Sequence, residues 1–533
     1  MGAPPVDSAS MNTLSENNVS ENTQEPILVR LRRTYKVGYD AVSMLVYLLL
    51  VFVWGLWVYP LGRDYAVMAD LAGTMPRVVA PVFAWQMDLF GAWTMGYILV
   101  NLFLLYGCML ATYGFVNLTV RGPIWLGVLA ATLFMANPVH TEAVLNISGM
   151  ADLLPAFFAL MSLAFYAAHI HFPARRRITI SVMAFFAAVV PFKVNLALVL
   201  VIALYEWLIT PPEKRAPIRL VPFVLITALA AATHFEALAS QPYGLGVMLT
   251  PLYFVFYPIG FLPETARTLH EVPVLSWAAG GAVLVCTALI YRKARRPAIL
   301  LGLLGMVGLR VYHGGPEVDP VHMTGGGQLL LASALFCLAF VALCHRIMDH
   351  PKWRSVVVWA TTVLAIIFFV LQIRVNLAWH HAGRAVQDVQ AAAQAHEEAH
   401  PDTPFALAPD YQYHLGAPMM LSEALSHDTP FSQRVPHVVL FPLHYDRPGV
   451  MEIEILEWAP HYALLEIQGK GPIDVVPWPY AWSREGDTVE YPEATVTLTV
   501  VEEDRFRVRI IPRNQRLPEH LLHGPPEWDI RRP

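Results

Sequence analysis

The chain has 533 residues, 56% of them hydrophobic and only 14% charged, with mean hydropathy +0.46 and a formal net charge of −5. Its apolar residues gather in runs of about 17 to 25, the length that crosses a ~30 Å hydrocarbon core, so this is a multispanning membrane protein. The small charge is spread along the chain, which excludes the basic surface that binding to nucleic acid requires.

Residues 1–26 are polar, rich in Asn, Ser, Glu and Thr, and carry no apolar core of a signal peptide, so they read as a disordered tail. Arg30, Arg32, Arg33 and Lys36 then precede the first apolar run and set the N-terminus in the cytoplasm. Spans follow near 39–60, 93–116, 123–137, 153–172, 178–192, 194–210, 218–238, 272–291, 297–313, 327–347 and 354–375, about eleven crossings in all. With that count Arg121, Arg175 to Arg177, Lys214 with Arg215, Arg292 to Arg296, and Arg346 with Lys352 and Arg354 all face the cytoplasm. The apolar stretch 246–262 contains Pro251 and Pro258 and would reverse the later clusters if it crossed, so it reads as a re-entrant or interfacial piece on the outer side. Cys108, Cys286, Cys337 and Cys344 lie in or beside apolar runs and read as small buried hydrophobes, neither a disulfide framework nor a metal site.

After about residue 376 an Ala-rich helical stretch, Trp379 to Ala399, leads into sequence with no further span. Alternating segments at 450–456, 494–500 and 505–511 predict β-strands with one buried face. The expected fold is therefore a polytopic α-helical membrane domain (27–375) followed by a small extracytoplasmic α/β domain (376–533). No internal repeat of 20 to 50 residues is visible in the chain.

The stretch on which function turns is Asn137-Pro-Val-His-Thr-Glu-Ala-Val144 with Leu145-Asn-Ile-Ser-Gly-Met-Ala-Asp-Leu-Leu154, between two apolar runs. His140, Glu142 and Asp152 fall where two spans meet the outer boundary, and ionisable groups there are costly unless they are paired or functional. This block resembles the His-Pro-Val-His-Thr-Glu-Ala-Val and Gly-Arg-Ala-Asp-Leu-Leu block of the polytopic O-mannosyltransferases with transmembrane and tetratricopeptide regions, and of related bacterial membrane glycosyltransferases of the GT-C type. The segment Ala80 to Gly91 followed by Gly96 to Tyr106 is similar to that family's Arg-Pro segment ending in Asn-Leu-Leu-Leu-His, and Phe192-Lys193-Val194 with Leu200 to Glu206 is similar to its Ser-Lys-Glu motif and following helix. The tetratricopeptide half is absent.

The resemblance implies a GT-C fold and transfer of a sugar from a polyprenyl-phosphate donor on the outer face, in a membrane such as the bacterial inner membrane. It implies no cofactor beyond the lipid-linked sugar. An acid in the first outer loop would activate the acceptor, while basic residues hold the phosphate leaving group. Asp64 and Asp70 are the acids available for the first task; Lys193, Arg310 and His313 are candidates for the second, with His140, Glu142 and Asp152 either donor-binding or structural. Several expected ionisable residues are missing: the acid pair after span one is Arg63-Asp64, and the motif positions for two Arg and one Glu hold Ala80, Met150 and Val194. The late Glu-Arg-Tyr-Leu-Tyr-Leu-Pro-Ser motif falls on Gly326 to Ser333, which keeps only a Leu pattern and the Ser.

Each residue also has a structural reading. Asp64 fits a solvated loop acid, His140, Glu142 and Asp152 fit a hydrogen-bonded knot at helix ends, Lys193 fits a cation reaching the headgroups, and Arg310 and His313 fit a helix end. The histidines of the outer domain have no spacing that ligates a metal. Three function classes follow: a polyprenyl-phosphate-dependent glycosyltransferase, a catalytically degenerate relative serving as a structural or assembly subunit beside other membrane subunits, and a transporter. The last is disfavoured because no inverted repeat is evident.

Overall fold

The computed structural model describes residues 27–61, 64–71, 75–192, 196–233, 297–311 and 326–399 of the helical part, and 406–411, 413–414, 417–418, 429–432, 438–443, 452–459, 462–468, 488–490, 494–502, 505–512 and 529–531 of the remainder. The tail 1–26, the expected span 272–291, the stretch 246–262, Cys286, Lys193 and His313 lie outside them. Contacts divide the chain into residues 1–47 and 48–533. The first unit contributes the beginning of α1 (Ile27–Phe52); all that follows concerns the second.

The helices are α2 (Asp64–Ala69), α3 (Ala80–Phe90), α4 (Thr94–Val120), α5 (Ile124–Met135), α6 (Thr141–Leu145), α7 (Met150–His171), α8 (Arg175–Val189), α9 (Leu198–Leu208), α10 (Val221–Thr233), α11 (Pro297–Val311), α12 (Leu330–Met348) and α13 (Pro351–Ala399). Five stretches are long and apolar enough to cross a membrane: Gly38–Trp57, Thr94–Val120, Ile147–His171, Leu330–Met348 and Pro351–Ala391. This is an integral membrane protein. The expected span 123–137 is instead half of a broken pair, bent by 52° between Ile124–Met135 and Pro138–Leu145. The expected spans 194–210, 218–238 and 297–313 correspond to the shorter apolar helices Leu198–Leu208, Pro217–Thr233 and Pro297–Leu309.

Local chemistry explains the ends. Helix α4 stops at Arg121, whose φ of 53° is left-handed, ahead of Gly122 and Pro123. Helix α5 stops because Pro138 offers no backbone N–H and Asn137 turns back, its side chain accepting from the Val139 amide at 3.1 Å. The basic residues gather at one end of the bundle: Arg121 donates to His171 at 2.8 Å, the His171 ring meets the Tyr205 hydroxyl at 3.5 Å, and Gly122 packs against His345. There too Glu206, buried among apolar helices, accepts from Tyr166 (2.7 Å), Thr210 (3.1 Å), the Ala216 amide (2.7 Å) and Arg219 (3.2 Å). Among the described residues, Arg121, Arg219 and His345 thus share this end of the bundle with the buried Glu206.

Helix α13 runs unbroken through residue 376, the boundary expected between the two domains, so the last span and the Ala-rich stretch are one element. Beyond it a six-stranded sheet has the order β10-β5-β6-β9-β8-β7, with β5 (Glu452–Ala459), β6 (Tyr462–Gln468), β7 (Thr488–Glu490), β8 (Ala494–Glu502) and β9 (Arg505–Pro512) antiparallel, and β10 (Asp529–Arg531) parallel to β5. Strands β1 (Ala406–Tyr411) and β4 (Val438–Leu443) pair in parallel, while β2 (Tyr413–His414) and β3 (Ala417–Pro418) form a short antiparallel pair. Alternation sorts the main sheet: Ala463, Leu465, Val508 and Ile510 are buried, while Arg507 and Arg509 are exposed, Arg507 donating to Glu466 across the strand pair at 2.9 Å. The three strands expected from the sequence are β5, β8 and β9.

Candidate functional site at the end opposite the basic cluster

Residues 137–149 form no long helix. A 3₁₀ turn (Pro138–His140), α6 and a second 3₁₀ turn (Ile147–Gly149) fold the chain back on itself between α5 and α7. Such a segment exposes backbone groups that need partners, and α4 supplies some: Asn101 donates to the carbonyls of Val144 (3.1 Å) and Asn146 (2.7 Å). Gly149 is required here, because a Cβ would overlap the Ala143 carbonyl oxygen.

Asp64 completes the fold-back. Its Oδ2 accepts from the amides of Ile147 (2.9 Å) and Leu61 (3.4 Å), and its Oδ1 from the amide (3.0 Å) and hydroxyl (2.7 Å) of Ser148. The residue is 1% exposed, so it is not a solvated loop acid. A carboxylate offers about four lone-pair positions, and four donors occupy them. Asp64 lies outside the spans; burial pushes its carboxyl above the usual range, and the donors from Ser148, Ile147 and Leu61 pull against that shift without cancelling it. Asp70, six residues on, is exposed beyond the end of α2.

His140 is wholly buried, its Nε2 2.8 Å from the Ser333 hydroxyl on α12. Since that hydroxyl also reaches the Leu330 carbonyl at 3.1 Å, the arrangement that uses each proton once has Nε2–H donating to Ser333 and Ser333 donating to Leu330. His140 is then a neutral tether between the central block and α12. Thr141 does not cap the helix it begins; its hydroxyl donates backward to Pro138 at 2.8 Å and accepts from Gln372 of α13 at 2.9 Å. Gln372 also donates to Asn376 (2.8 Å), which donates to the Val51 carbonyl at 2.8 Å. Glu142 is partly buried, and Asp152 is exposed with its carboxylate packed on Gly327. Arg310 lies in the last turn of α11.

The block therefore joins α2, α4, α12 and α13. Of the expected site residues, Asp64 is bonded to the block that contains His140, Glu142 and Asp152. Sequence reasoning missed Asn101, Ser148, Gln372 and Asn376: each is a neutral polar residue inside or beside an apolar helix, and the signal available was its cost there unless hydrogen-bonded. Among the described residues no group of three or more His, Cys, Asp or Glu is placed to hold a metal. Grooves of about 580 and 430 Å³ are apolar; one runs along α13 past Trp359, the other lies between α4 and α7 beside Gly107 and Phe157.

No family model matches the chain, and no curated protein matches it. Among solved structures the chain is similar to ArnT from Cupriavidus metallidurans bound to undecaprenyl phosphate, at 14% identity over 76% of this chain and 86% of that one, with a TM-score of 0.43. The apo state of the same protein aligns at 16% identity over 74% and 86%, with a TM-score of 0.42.

Proposed function

We propose that the chain is a membrane glycosyltransferase-like protein that takes a sugar from a polyprenyl-phosphate donor at the end of the bundle where the central block lies, with that end and the C-terminal sheet domain extracytoplasmic. The observation that carries this reading is the attachment of Asp64 to Ile147 and Ser148, which unites the first-loop acid with the His-Thr-Glu block. The resemblance gives acceptor activation to the first-loop acid and either donor binding or a structural role to the block. Asp64 and Asp70 divide the work: Asp64 fixes α2 to the block, and Asp70, presented to solvent at the far end of α2, takes the acceptor proton. Lys193, Arg310 and His313 supply the positive charge that phosphate release needs.

A second reading, a degenerate relative acting as a structural subunit, is favoured by the same carboxylate. With every lone pair engaged, Asp64 accepts a substrate proton only after losing a donor.

Purified protein in liposomes, given radiolabelled polyprenyl-phosphate sugars and an extract of envelope acceptors, separates the two. Transfer that falls about a hundredfold or more in Asp70→Asn, with folding intact, supports the enzyme. No transfer by the wild type, together with stoichiometric co-purification of other membrane subunits that survives both Asp64→Asn and Asp70→Asn, refutes it in favour of the subunit reading.

A further inference from the structure

Between the strands that follow α13, residues Thr429 to Ser432 form a tight turn closed by paired backbone bonds, Thr429 amide to Ser432 carbonyl at 2.8 Å and the reverse at 3.3 Å. The Thr429 hydroxyl adds a bond from the Phe431 amide at 3.2 Å and a contact with the Ser432 hydroxyl at 2.8 Å. The turn presents Phe431, which is only 7% exposed. Its ring stands edge-on to Tyr59 (centroids 5.9 Å) and Tyr97 (6.3 Å), while the Tyr59 hydroxyl donates to its carbonyl at 3.3 Å.

The socket is built by the membrane part. Tyr97 packs on Phe83 (5.8 Å) and Phe90 (5.3 Å) and is fixed by a bond from its hydroxyl to the Gly91 carbonyl at 3.0 Å. Behind Tyr59, α13 approaches so closely at Gly383 that a Cβ there would lie 2.8 Å from the Tyr59 nitrogen. Tyr59 is thus held between α13 and Phe431. Two residues later Leu61 donates its amide to Asp64 and accepts from the Asp64 amide at 3.2 Å. Tyr59 is two residues from Leu61, and Leu61 is bonded to Asp64, so what holds Tyr59 bears on the first turn of α2.

We propose that the Thr429–Ser432 turn is a clasp on Tyr59 that steadies Leu61 and, through it, Asp64, so that release of Phe431 controls access to the Asp64 carboxyl. It deepens the proposed site, since a clasp of this kind lets the extramembrane domain regulate the loop that joins α2 to the central block. The accessibility it predicts does not depend on sugar transfer. Closed, the clasp keeps Asp64 locked to Ile147 and Ser148; open, it lets Leu61 withdraw and uncovers one edge of the carboxylate.

The test reads access directly. Full-length protein in lipid nanodiscs is treated with dicyclohexylcarbodiimide, which adds to a carboxyl group to give an O-acylisourea that rearranges to a stable N-acylurea, and the peptides are quantified by mass spectrometry. Exposed Asp70 serves as the internal standard. Wild type should label slowly at Asp64, and Phe431→Ala should label at least about tenfold faster there, because the opening free energy of that segment falls. Tyr59→Phe, which removes only the hydroxyl bond, should give a smaller rise. Should Phe431→Ala fail to fold, Tyr59→Cys with Phe431→Cys carries the test: joining the two thiols with a short bifunctional maleimide should hold Asp64 labelling at the wild-type level, and the unjoined double variant should label faster. Equal Asp64 labelling in wild type and a folded Phe431→Ala, or equal labelling with the thiols joined and unjoined, overturns the clasp. Because transfer is never measured, absence of activity leaves this result standing, and failure of the clasp leaves the transferase reading untouched.

Discussion

Replacing Asp64 with Asn tests how far the fold-back depends on one side chain. Asn has nearly the same shape but offers a single acceptor oxygen, and its amide nitrogen is a donor facing donors. If Oδ1 stays with Ser148, the Ile147 amide loses its 2.9 Å partner and the Leu61 amide its weaker 3.4 Å one, with an N–H group pressed toward both. A buried bond to a charged acceptor contributes about 1.5–3 kcal/mol, and an orphaned buried donor costs about 1–3 kcal/mol. Relief from burying a carboxylate offsets part of this, leaving roughly 2–4 kcal/mol for opening the 137–149 segment. At about 1.4 kcal/mol per decade, amide exchange at Ile147 and Ser148 should accelerate on the order of 30- to 1000-fold. The measurement is hydrogen–deuterium exchange by mass spectrometry in detergent at fixed pH, with peptides of α4 and α12 as controls. Unchanged exchange across 141–152 would refute the view that Asp64 holds the block.

Burial leaves the Asp64 carboxyl with a folded pKa above its unfolded value, so its stabilising contribution is complete below the unfolded pKa and is lost as pH rises through the folded one. Wild-type stability should therefore decline relative to Asp64→Asn as pH is raised from about 4, in paired melting curves, and a relative rise would show that the four donors outweigh burial. Gly149→Ala should destabilise by more than about 2 kcal/mol and loosen exchange at Ser148, because the new methyl overlaps the Ala143 carbonyl; a variant that melts with wild type contradicts the close approach. Glu206→Ala strips partners from Tyr166, Thr210, Ala216 and Arg219 and should cost about 3 kcal/mol or more in detergent unfolding, with Glu206→Gln intermediate. Single cysteines placed at Gly122 and Thr429 should label from opposite faces of sealed vesicles, the first from the cytoplasmic face; labelling from one face would overturn the topology.

The helical part was legible because membrane crossing imposes a length and a composition, and Thr94–Val120, Ile147–His171 and Leu330–Met348 announce themselves by both. Strands β5, β8 and β9 were legible through alternation, since one face of their sheet is buried. The break after Met135 was half legible. Asn137-Pro138 signals a stop, but whether the chain then leaves the bundle or folds back depends on partners that arrive from elsewhere: Asn101 and Asp64 from earlier in the chain, Ser333 and Gln372 from about two hundred residues later. Periodicity carries no information about such pairings. Phe431 was invisible for the same reason, as its socket is assembled from Tyr59, in the irregular segment before α2, and Tyr97 of α4.

The substitutions that depart from the resembled family bear on why this block is held so firmly. At the position where that pattern has an Arg, Met150 accepts a hydrogen bond from Gln86 at its sulfur, 3.2 Å away, so here the position is an uncharged packing position. His140 is likewise a neutral tether and Thr141 a relay to Gln372 and Asn376. Neutral hydrogen bonds do not carry the desolvation cost that buried ions would impose at the edge of a bilayer. They also place no positive charge against a phosphate. On the transferase reading a donor phosphate would find its cation outside the block, which makes Lys193 and Arg310 decisive: if Lys193→Met and Arg310→Met, singly and together, leave the binding of a polyprenyl phosphate unchanged in reconstituted protein, that reading fails and the block is architecture, as the structural-subunit reading has it.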